Sequence, residues 1–311
     1  MGTYTASHRL PVIKFSGGQE NDPTTGALVR AALEEYGCFE AVFDRVPDDL
    51  RRAALDGTKQ LFDLPLPVKL RNRSDKPYHG YVGQYAMVPL YESLGIPDAL
   101  APNGIKNFTN LLWPEGHPEF SESMRSFSEQ LSELDKEVRR MVIESLGLEK
   151  YTDEHLNSAD YLVRVQKYAG PQSPETKLGL TSHTDKNIVT ILYPNEVLGL
   201  ELLSKDGQWF PADPSTNSFI VMIGESLRAW TNGRLHAPHH RVMMTGDEAR
   251  YSIGLFSVPK KGYIIKAPEE MIDDEHPLLF KPYDHVKFLE FYYTKAGQAS
   301  PNALKDYCGV N

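Results

Sequence analysis

Leu178-Gly179-Leu180-Thr181-Ser182-His183-Thr184-Asp185, running on into Ile188-Val189-Thr190-Ile191-Leu192, is the stretch on which the reading of this chain turns. Its apolar and β-branched residues predict strand. In a strand, residues i and i+2 share a face about 7 Å apart, so His183 and Asp185 are expected to reach one point together. An imidazole and a carboxylate are two of the three ligands of a 2-His-1-carboxylate triad, which holds non-haem Fe(II) and leaves positions open. Alone the signal is weak. In a chain with ten histidines a His-x-Asp triplet arises by chance about 0.6 times, and a solvated loop pair or a core histidine is the plainer reading.

The context lies downstream. Arg234-Leu235-His236-Ala237-Pro238-His239-His240-Arg241-Val242 offers three further histidines. Met243-Met244-Thr245-Gly246-Asp247 reads as a hairpin turn, and Arg250-Tyr251-Ser252-Ile253-Gly254-Leu255-Phe256 alternates like a strand, with Arg250 and Ser252 on one face. A hairpin would set His240 and Arg250 on neighbouring strands. His239 and His240 would face opposite ways, so only one of them could join His183 and Asp185. A guanidinium with a hydroxyl beside it suits the far carboxylate of a dicarboxylic co-substrate, because arginine grips a carboxylate with a bidentate fork.

Together these segments resemble the plant-type 2-oxoglutarate- and Fe(II)-dependent dioxygenases. The matching residues include Leu178-Gly179-Leu180, His183-Thr184-Asp185, Gly199-Leu200-Glu201-Leu202, Trp230-Thr231-Asn232-Gly233, His240-Arg241-Val242 and Arg250-Tyr251-Ser252, in family order and spacing. Chain length and Leu304-Lys305-Asp306-Tyr307-Cys308-Gly309 look most like the subgroup acting on glucosinolates and steroidal alkaloids. The resemblance implies Fe(II) on His183, Asp185 and His240, and 2-oxoglutarate held by Arg250 and Ser252 with Tyr168 nearby. It also implies O2 as oxidant, ascorbate as reductant, and release of succinate and CO2 as a small, mostly apolar plant specialised metabolite or hormone is hydroxylated. The family's Asn-Tyr-Tyr-Pro pattern aligns with Lys167-Tyr168-Ala169-Gly170, so only the first tyrosine is kept. Three alternatives stay open: an ascorbate-dependent non-haem iron oxidase of the ethylene-forming type, a non-catalytic jelly-roll protein that binds a small molecule, and a metal-dependent isomerase on the same barrel.

The aromatic- and proline-rich residues 74–118 read as one irregular segment. In the resembled family this region covers the active site. Tyr81, Phe108 and Trp113 are therefore taken as substrate contacts, with Phe256, four residues past Ser252, and Phe288. The plainer reading is that all five are core aromatics, since aromatic side chains dominate cores too.

Around this centre the chain reads as α+β: a double-stranded β-helix, or jelly roll, with flanking N-terminal helices and a C-terminal helix. Residues 1–155 form a mostly helical region, 156–262 the Fe(II)/2-oxoglutarate core, and 263–311 a closing loop and helix, all in one compact unit. Helices are expected over residues 26–36, ending at Gly37, over 47–62, over 120–146 from apolar residues three and four apart, and over 283–296. Residues 16–25 read as loop, 66–73 as a basic surface segment, and 213–215 as a turn. Histidines 8, 79, 117, 155, 276 and 285 lack metal-ligand spacing and read as structural or solvated. The net charge of −9 with no basic cluster argues against nucleic acid as partner. No apolar run approaches the roughly 20 residues of a membrane span, and the N-terminus has no hydrophobic signal core. Cys38 and Cys308 read as free thiols. A cytoplasmic monomer acting on a small molecule is the expectation.

Overall fold

The computed structural model describes residues 9–16, 22–171, 173, 177–212 and 214–310. His8, residues 17–21 of the predicted loop at 16–25 and Asp213 in the predicted turn lie outside the described residues.

Twelve strands build two sheets: β1 Val12–Phe15, β2 Cys38–Phe43, β3 Val82–Gly83, β4 Tyr91–Ile96, β5 Ala159–Tyr168, β6 Leu178–His183, β7 Val189–Pro194, β8 Leu200–Leu203, β9 Trp209–Pro211, β10 Phe219–Ile223, β11 His240–Met243 and β12 Arg250–Pro259. An eight-stranded sheet runs β1-β2-β10-β7-β12-β5-β4-β3, and a four-stranded sheet runs β6-β11-β8-β9. Their facing side chains make one apolar layer: Tyr168, Leu192, Ile220 and Met222 of the large sheet meet Leu200, Leu202, Phe210 and Val242 of the small one. This is a jelly roll wrapped by helices, the α+β fold expected.

Alternation decides what each face carries. Val163, Val165, Ile191, Phe219, Val221, Ile253 and Leu255 point away from the small sheet into a second core, under helices Pro23–Glu35, Asp48–Asp63 and Pro118–Ser145. The longest of these helices carries the predicted stripe, from Phe120 and Met124 to Val138 and Val142. His117 caps it by accepting from Phe120 N, and Pro118 sits in the first turn, where a missing N–H costs nothing. Phe127 packs on Phe219 and Tyr193 of the sheet. Inside this helix–sheet core Arg139 donates to Asp135, to the His155 carbonyl and to Tyr161.

Several expectations need correction. The helix predicted from residue 26 begins at Pro23, because Asp22 caps it with bonds to Thr24 N and Thr25 N. Residues 74–118 are not irregular throughout: β4 adds to the edge of β5, and Gly104–Leu112 is a helix. The N-terminal region thus supplies half the strands of the large sheet. Within the predicted surface segment 66–73, Lys69 is buried against Glu92. The single C-terminal helix is three, His285–Tyr292, Lys295–Ala299 and Ala303–Cys308, divided where Thr294 and Asn302 begin new caps. The predicted β11–β12 hairpin does not form; the turn after Met243 carries the chain from the small sheet to the large one.

Candidate active site

His183 ends β6 and His240 opens β11, and the two are register partners with ring centroids 4.2 Å apart. Asp185 is not on the strand. β6 stops at His183, so strand spacing is not what aims the carboxylate. Hydrogen bonds from the next elements do that: Thr190 Oγ1 on β7 donates to Asp185 Oδ2 at 2.5 Å, and Glu225 N donates to the Asp185 carbonyl at 2.8 Å. Oδ1 then stands 3.8 Å from Nε2 of both His183 and His240. Each imidazole is oriented by a carbonyl two residues back, Thr181 O at 2.8 Å from His183 Nδ1 and Pro238 O at 3.3 Å from His240 Nδ1. A ring that donates from Nδ1 presents its Nε2 lone pair to a metal.

The three donor atoms lie within 4.8 Å of one another. Two imidazole nitrogens and a carboxylate oxygen are the donor set that suits Fe(II) with open positions. Burial, reinforced by His240, pushes the His183 pKa down to about 3. Burial works against ionising Asp185, but the two imidazoles and the Thr190 bond outweigh it and hold its pKa below the usual carboxylate value. Neutral imidazole and ionised carboxylate are the forms that ligate.

Deeper in the barrel, Arg250 and Ser252 on β12 pair in register with Tyr168 and Gln166 on β5. Ser252 Oγ donates to Gln166 Oε1 at 2.9 Å, and Arg250 Nη1 reaches Ser252 Oγ at 3.4 Å. The guanidinium lies 5.4 Å from the Tyr168 ring centroid. Arg250 is buried, yet its Nε has no partner among the described residues. Burial pulls its pKa down. A buried guanidinium with an orphan N–H is matched by a carboxylate, which none of the described residues supplies. The register makes Gln166 and Tyr168 the inward pair of this stretch, an amide and a phenol two apart, while Lys167 faces the other way towards Glu92 and Tyr251.

The predicted substrate contacts separate. Phe256 lies in the barrel-side layer, its ring against Gly254 and itself only half-buried. Phe108 and Trp113 are not brought to the site; both rings pack on Phe120 in the helix–sheet core. Tyr81 donates to Glu92 on that same side. Phe288 is enclosed by Tyr283, Tyr292 and Tyr307. The aromatics that do approach the triad are Tyr292, whose ring centroid lies 4.4 Å from Lys186 Nζ, and its neighbour Tyr293, tilted against Tyr78 at 5.9 Å. His236 and His239 remain half-buried off the triad. Sequence reading missed Thr190, Gln166 and Arg164, all inward-facing polar residues on strands; the signal available was a polar residue at an alternate position in an otherwise apolar run. The groove of about 1070 Å³ between helix Asp48–Asp63 and the turns after β7 and before β12 includes none of these residues.

Comparison with known proteins agrees with this geometry. The profile of the 2OG-Fe(II) oxygenase superfamily matches residues 159–259, and that of the non-haem dioxygenase in morphine synthesis N-terminal region matches residues 10–89. A probable 2-oxoglutarate-dependent dioxygenase, AOP1 of Arabidopsis thaliana, is 50% identical over 96% of each chain. Among solved structures, the 2-oxoglutarate complex of the dioxygenase for auxin oxidation 1 from Arabidopsis thaliana is 31% identical, with TM-score 0.80 over 86% of this chain and 100% of that one. JOX2 in complex with 2OG, Fe and JA is 26% identical, with TM-score 0.82 over 97% of this chain and 89% of that one. The chain therefore belongs to the 2-oxoglutarate- and Fe(II)-dependent oxygenases, enzymes whose cofactors are Fe(II) and 2-oxoglutarate. No helix among the described residues is long and apolar enough to cross a membrane.

Proposed function

We propose that His183, Asp185 and His240 hold the iron, that Arg250 with Ser252 binds the far carboxylate of 2-oxoglutarate, and that the enzyme hydroxylates a small, mostly apolar plant specialised metabolite or hormone. The observation that carries this is the coexistence of three converging donors and an unpaired buried guanidinium on inward faces of one barrel. Bound Fe(II) would supply the activation of O2 that couples oxidative decarboxylation of the keto acid to oxidation of the substrate. The protein's own contribution is positional. Thr190 fixes the carboxylate, Thr181 and Pro238 fix the imidazoles, and Gln166 and Tyr168 flank the clamp. The apolar layer between the sheets backs the ligands, of which His240 is buried and His183 and Asp185 are half-buried. Phe256, with Tyr78, Tyr292 and Tyr293, would position the substrate, a role in which Tyr81, Phe108, Trp113 and Phe288 have no geometric support.

The substrate class rests on the relatives, of which one oxidises auxin and one is bound to JA. The same reading has the chain acting as a cytoplasmic monomer without nucleic acid as partner. Its support is the net charge of −9, two buried free thiols, and a site built wholly from one chain. The test is succinate formation from 2-oxoglutarate, with Fe(II) and ascorbate, across an array of plant small molecules. Substrate-stimulated succinate is the expected result. O2 uptake that needs ascorbate and is indifferent to 2-oxoglutarate would move the ethylene-forming type of oxidase ahead.

A further inference from the structure

Five lysines and arginines are buried among the described residues: Arg51, Lys69, Arg139, Arg164 and Arg250. Three have a carboxylate in ion-pair range, Arg51 with Asp48 at 3.6 Å, Lys69 with Glu92 at 2.7 Å and Arg139 with Asp135 at 2.9 Å. The two without one are Arg164 and Arg250. Both sit on the inward faces of β5 and β12, where Arg164 opposes Gly254 and Arg250 opposes Tyr168. A buried charge is ordinarily paired. Arg250 has its partner in the proposed co-substrate; Arg164 needs a different one, because it lies four residues along the strand from Tyr168.

The surroundings of Arg164 form a built site. Its guanidinium donates to the Tyr78 carbonyl, to Tyr91 Oη at 3.2 Å and to Ser93 Oγ, and its Cζ lies 5.0 Å from the Tyr78 ring centroid. All of these partners are uncharged. They fix the group and leave two of its five N–H groups and its whole charge for a ligand. Tyr78 is held at φ 62°, a conformation a bulky residue rarely takes, and so offers both carbonyl and ring to the same guanidinium. The location is the substrate side of the barrel. The Tyr78 ring lies against Tyr293 at 5.9 Å, Tyr293 against Tyr292 at 5.1 Å, and Tyr292 against Lys186, the neighbour of Asp185. Along the sheet, Arg164 opposes Gly254, Gly254 opposes Leu192, and Thr190, two residues from Leu192 on the same face, holds Asp185. Arg164 thus shares the chamber of the triad and is separate from the 2-oxoglutarate clamp.

We infer that Arg164 is the anchor for an anionic group on the organic substrate, so that this enzyme acts on molecules that join an apolar body to a carboxylate or a comparable oxyanion. The apolar body would lie along Phe256, with the anion on Arg164 and the tyrosines of Tyr78 and Tyr293 closing over it. The inference rests on the proposed placement of 2-oxoglutarate at Arg250, which its test must therefore check separately.

The test is calorimetric binding of matched acid and amide probes, phenylacetate with phenylacetamide and hexanoate with hexanamide, to protein saturated with 2-oxoglutarate under anaerobic conditions. Each pair has one shape and differs in charge. Wild type is expected to prefer the acids, Arg164→Gln to lose that preference by roughly thirty-fold or more, and Arg164→Lys to keep part of it, since the charge survives and the fork does not. Amide binding should be the same in all three proteins. Equal binding of acid and amide by wild type, or no binding of any acid, overturns the inference. So does an acid preference that survives in Arg164→Gln, or a variant that loses both members of each pair together with melting temperature, which marks a purely structural arginine. A titration of 2-oxoglutarate alone into the same samples reports on the underlying reading: failure there, with Arg164 intact, would remove the co-substrate assignment and not the anion anchor.

Discussion

Arg139 and Arg250 are both buried arginines on opposite sides of the large sheet, and their surroundings differ in kind. Arg139, under the helices, has Asp135 at 2.9 Å, the Tyr161 hydroxyl and a backbone carbonyl. Arg250, inside the barrel, has a long contact to Ser252, the face of Tyr168 and an Nε with no partner. The histidines repeat the contrast. Burial keeps both His155 and His183 neutral, but His155 packs tilted against Trp230 at 4.6 Å, whereas His183 turns Nε2 towards Asp185 and His240. Under the helices the buried guanidinium is paired with a carboxylate of the same chain, which stabilises the fold. Inside the barrel the buried guanidinium has no carboxylate among the described residues, which is the condition for binding an anion from outside.

The largest effect expected from this contrast is at the triad. Asp185→Ala or His183→Ala should abolish Fe(II) binding and succinate formation while far-ultraviolet circular dichroism and the cooperative melt persist, because hydrogen-bonded strands and not the metal close the barrel. Full metal occupancy in Asp185→Ala, measured by metal analysis after desalting, would sink the assignment.

Next come substitutions that should act with opposite sign on stability. Arg139→Met strands Asp135 in an apolar core and should cost about 3–5 kcal/mol. Arg250→Met removes a charge that has no partner and should leave the ligand-free protein as stable as wild type or more so. Urea unfolding of both proteins decides this; equal losses would erase the distinction between the faces. The aromatics give a parallel contrast. Phe108→Ala opens a cavity beneath helix Pro118–Ser145 and should cost about 3–5 kcal/mol with substrate choice unchanged. Phe256→Ala, half-buried, should cost about 1 kcal/mol and alter which substrates stimulate succinate release. The reverse pattern would put the substrate on the helix side.

The smallest effect is in pH. The folded-state pKa of His155 lies well below its ordinary 6.5, because of burial and then of Arg139. The unfolded chain takes up a proton near pH 6.5 that the folded chain refuses. The stability this residue confers is therefore complete above pH 6.5 and falls as pH drops below it, by up to about 1.4 kcal/mol per unit. His155→Phe, which keeps an aromatic ring on Trp230, should flatten the acid limb of the stability curve between pH 6.5 and 5. An unchanged limb would mean that His155 is not held neutral.

The convergence of His183, Asp185 and His240 and the pairing of Arg250 with Ser252 were readable because these residues sit in short motifs, His183-Thr184-Asp185, His240-Arg241-Val242 and Arg250-Tyr251-Ser252. It carried less about how they are held. Strand spacing suggested that Asp185 shares a face with His183, whereas Thr190 and Glu225 aim it from elsewhere in the chain. The turn at Thr245-Gly246-Asp247 says that the chain reverses, and nothing in it says that the next strand joins the other sheet. β4 escaped notice because Tyr91, Ser93 and Gly95 alternate with Glu92, Leu94 and Ile96 without the clean polar–apolar rhythm of a half-exposed strand. Aromatic residues were the least readable. Phe108 and Phe256 are equally apolar on paper, and which face of a sheet each one meets is settled by tertiary packing alone.

The central claim is that the inward face is built to receive an anion and a metal that the fold does not provide. Its most direct test is an anaerobic titration of 2-oxoglutarate into Fe(II)-loaded wild type, Arg250→Ala and Arg250→Lys. Losing one side of a buried charge pair costs about 2–5 kcal/mol, which at about 1.4 kcal/mol per decade is roughly thirty-fold or more in affinity. Wild type should bind tightly, Arg250→Ala at least thirty-fold more weakly, and Arg250→Lys in between. Equal affinity in wild type and Arg250→Ala would contradict the account.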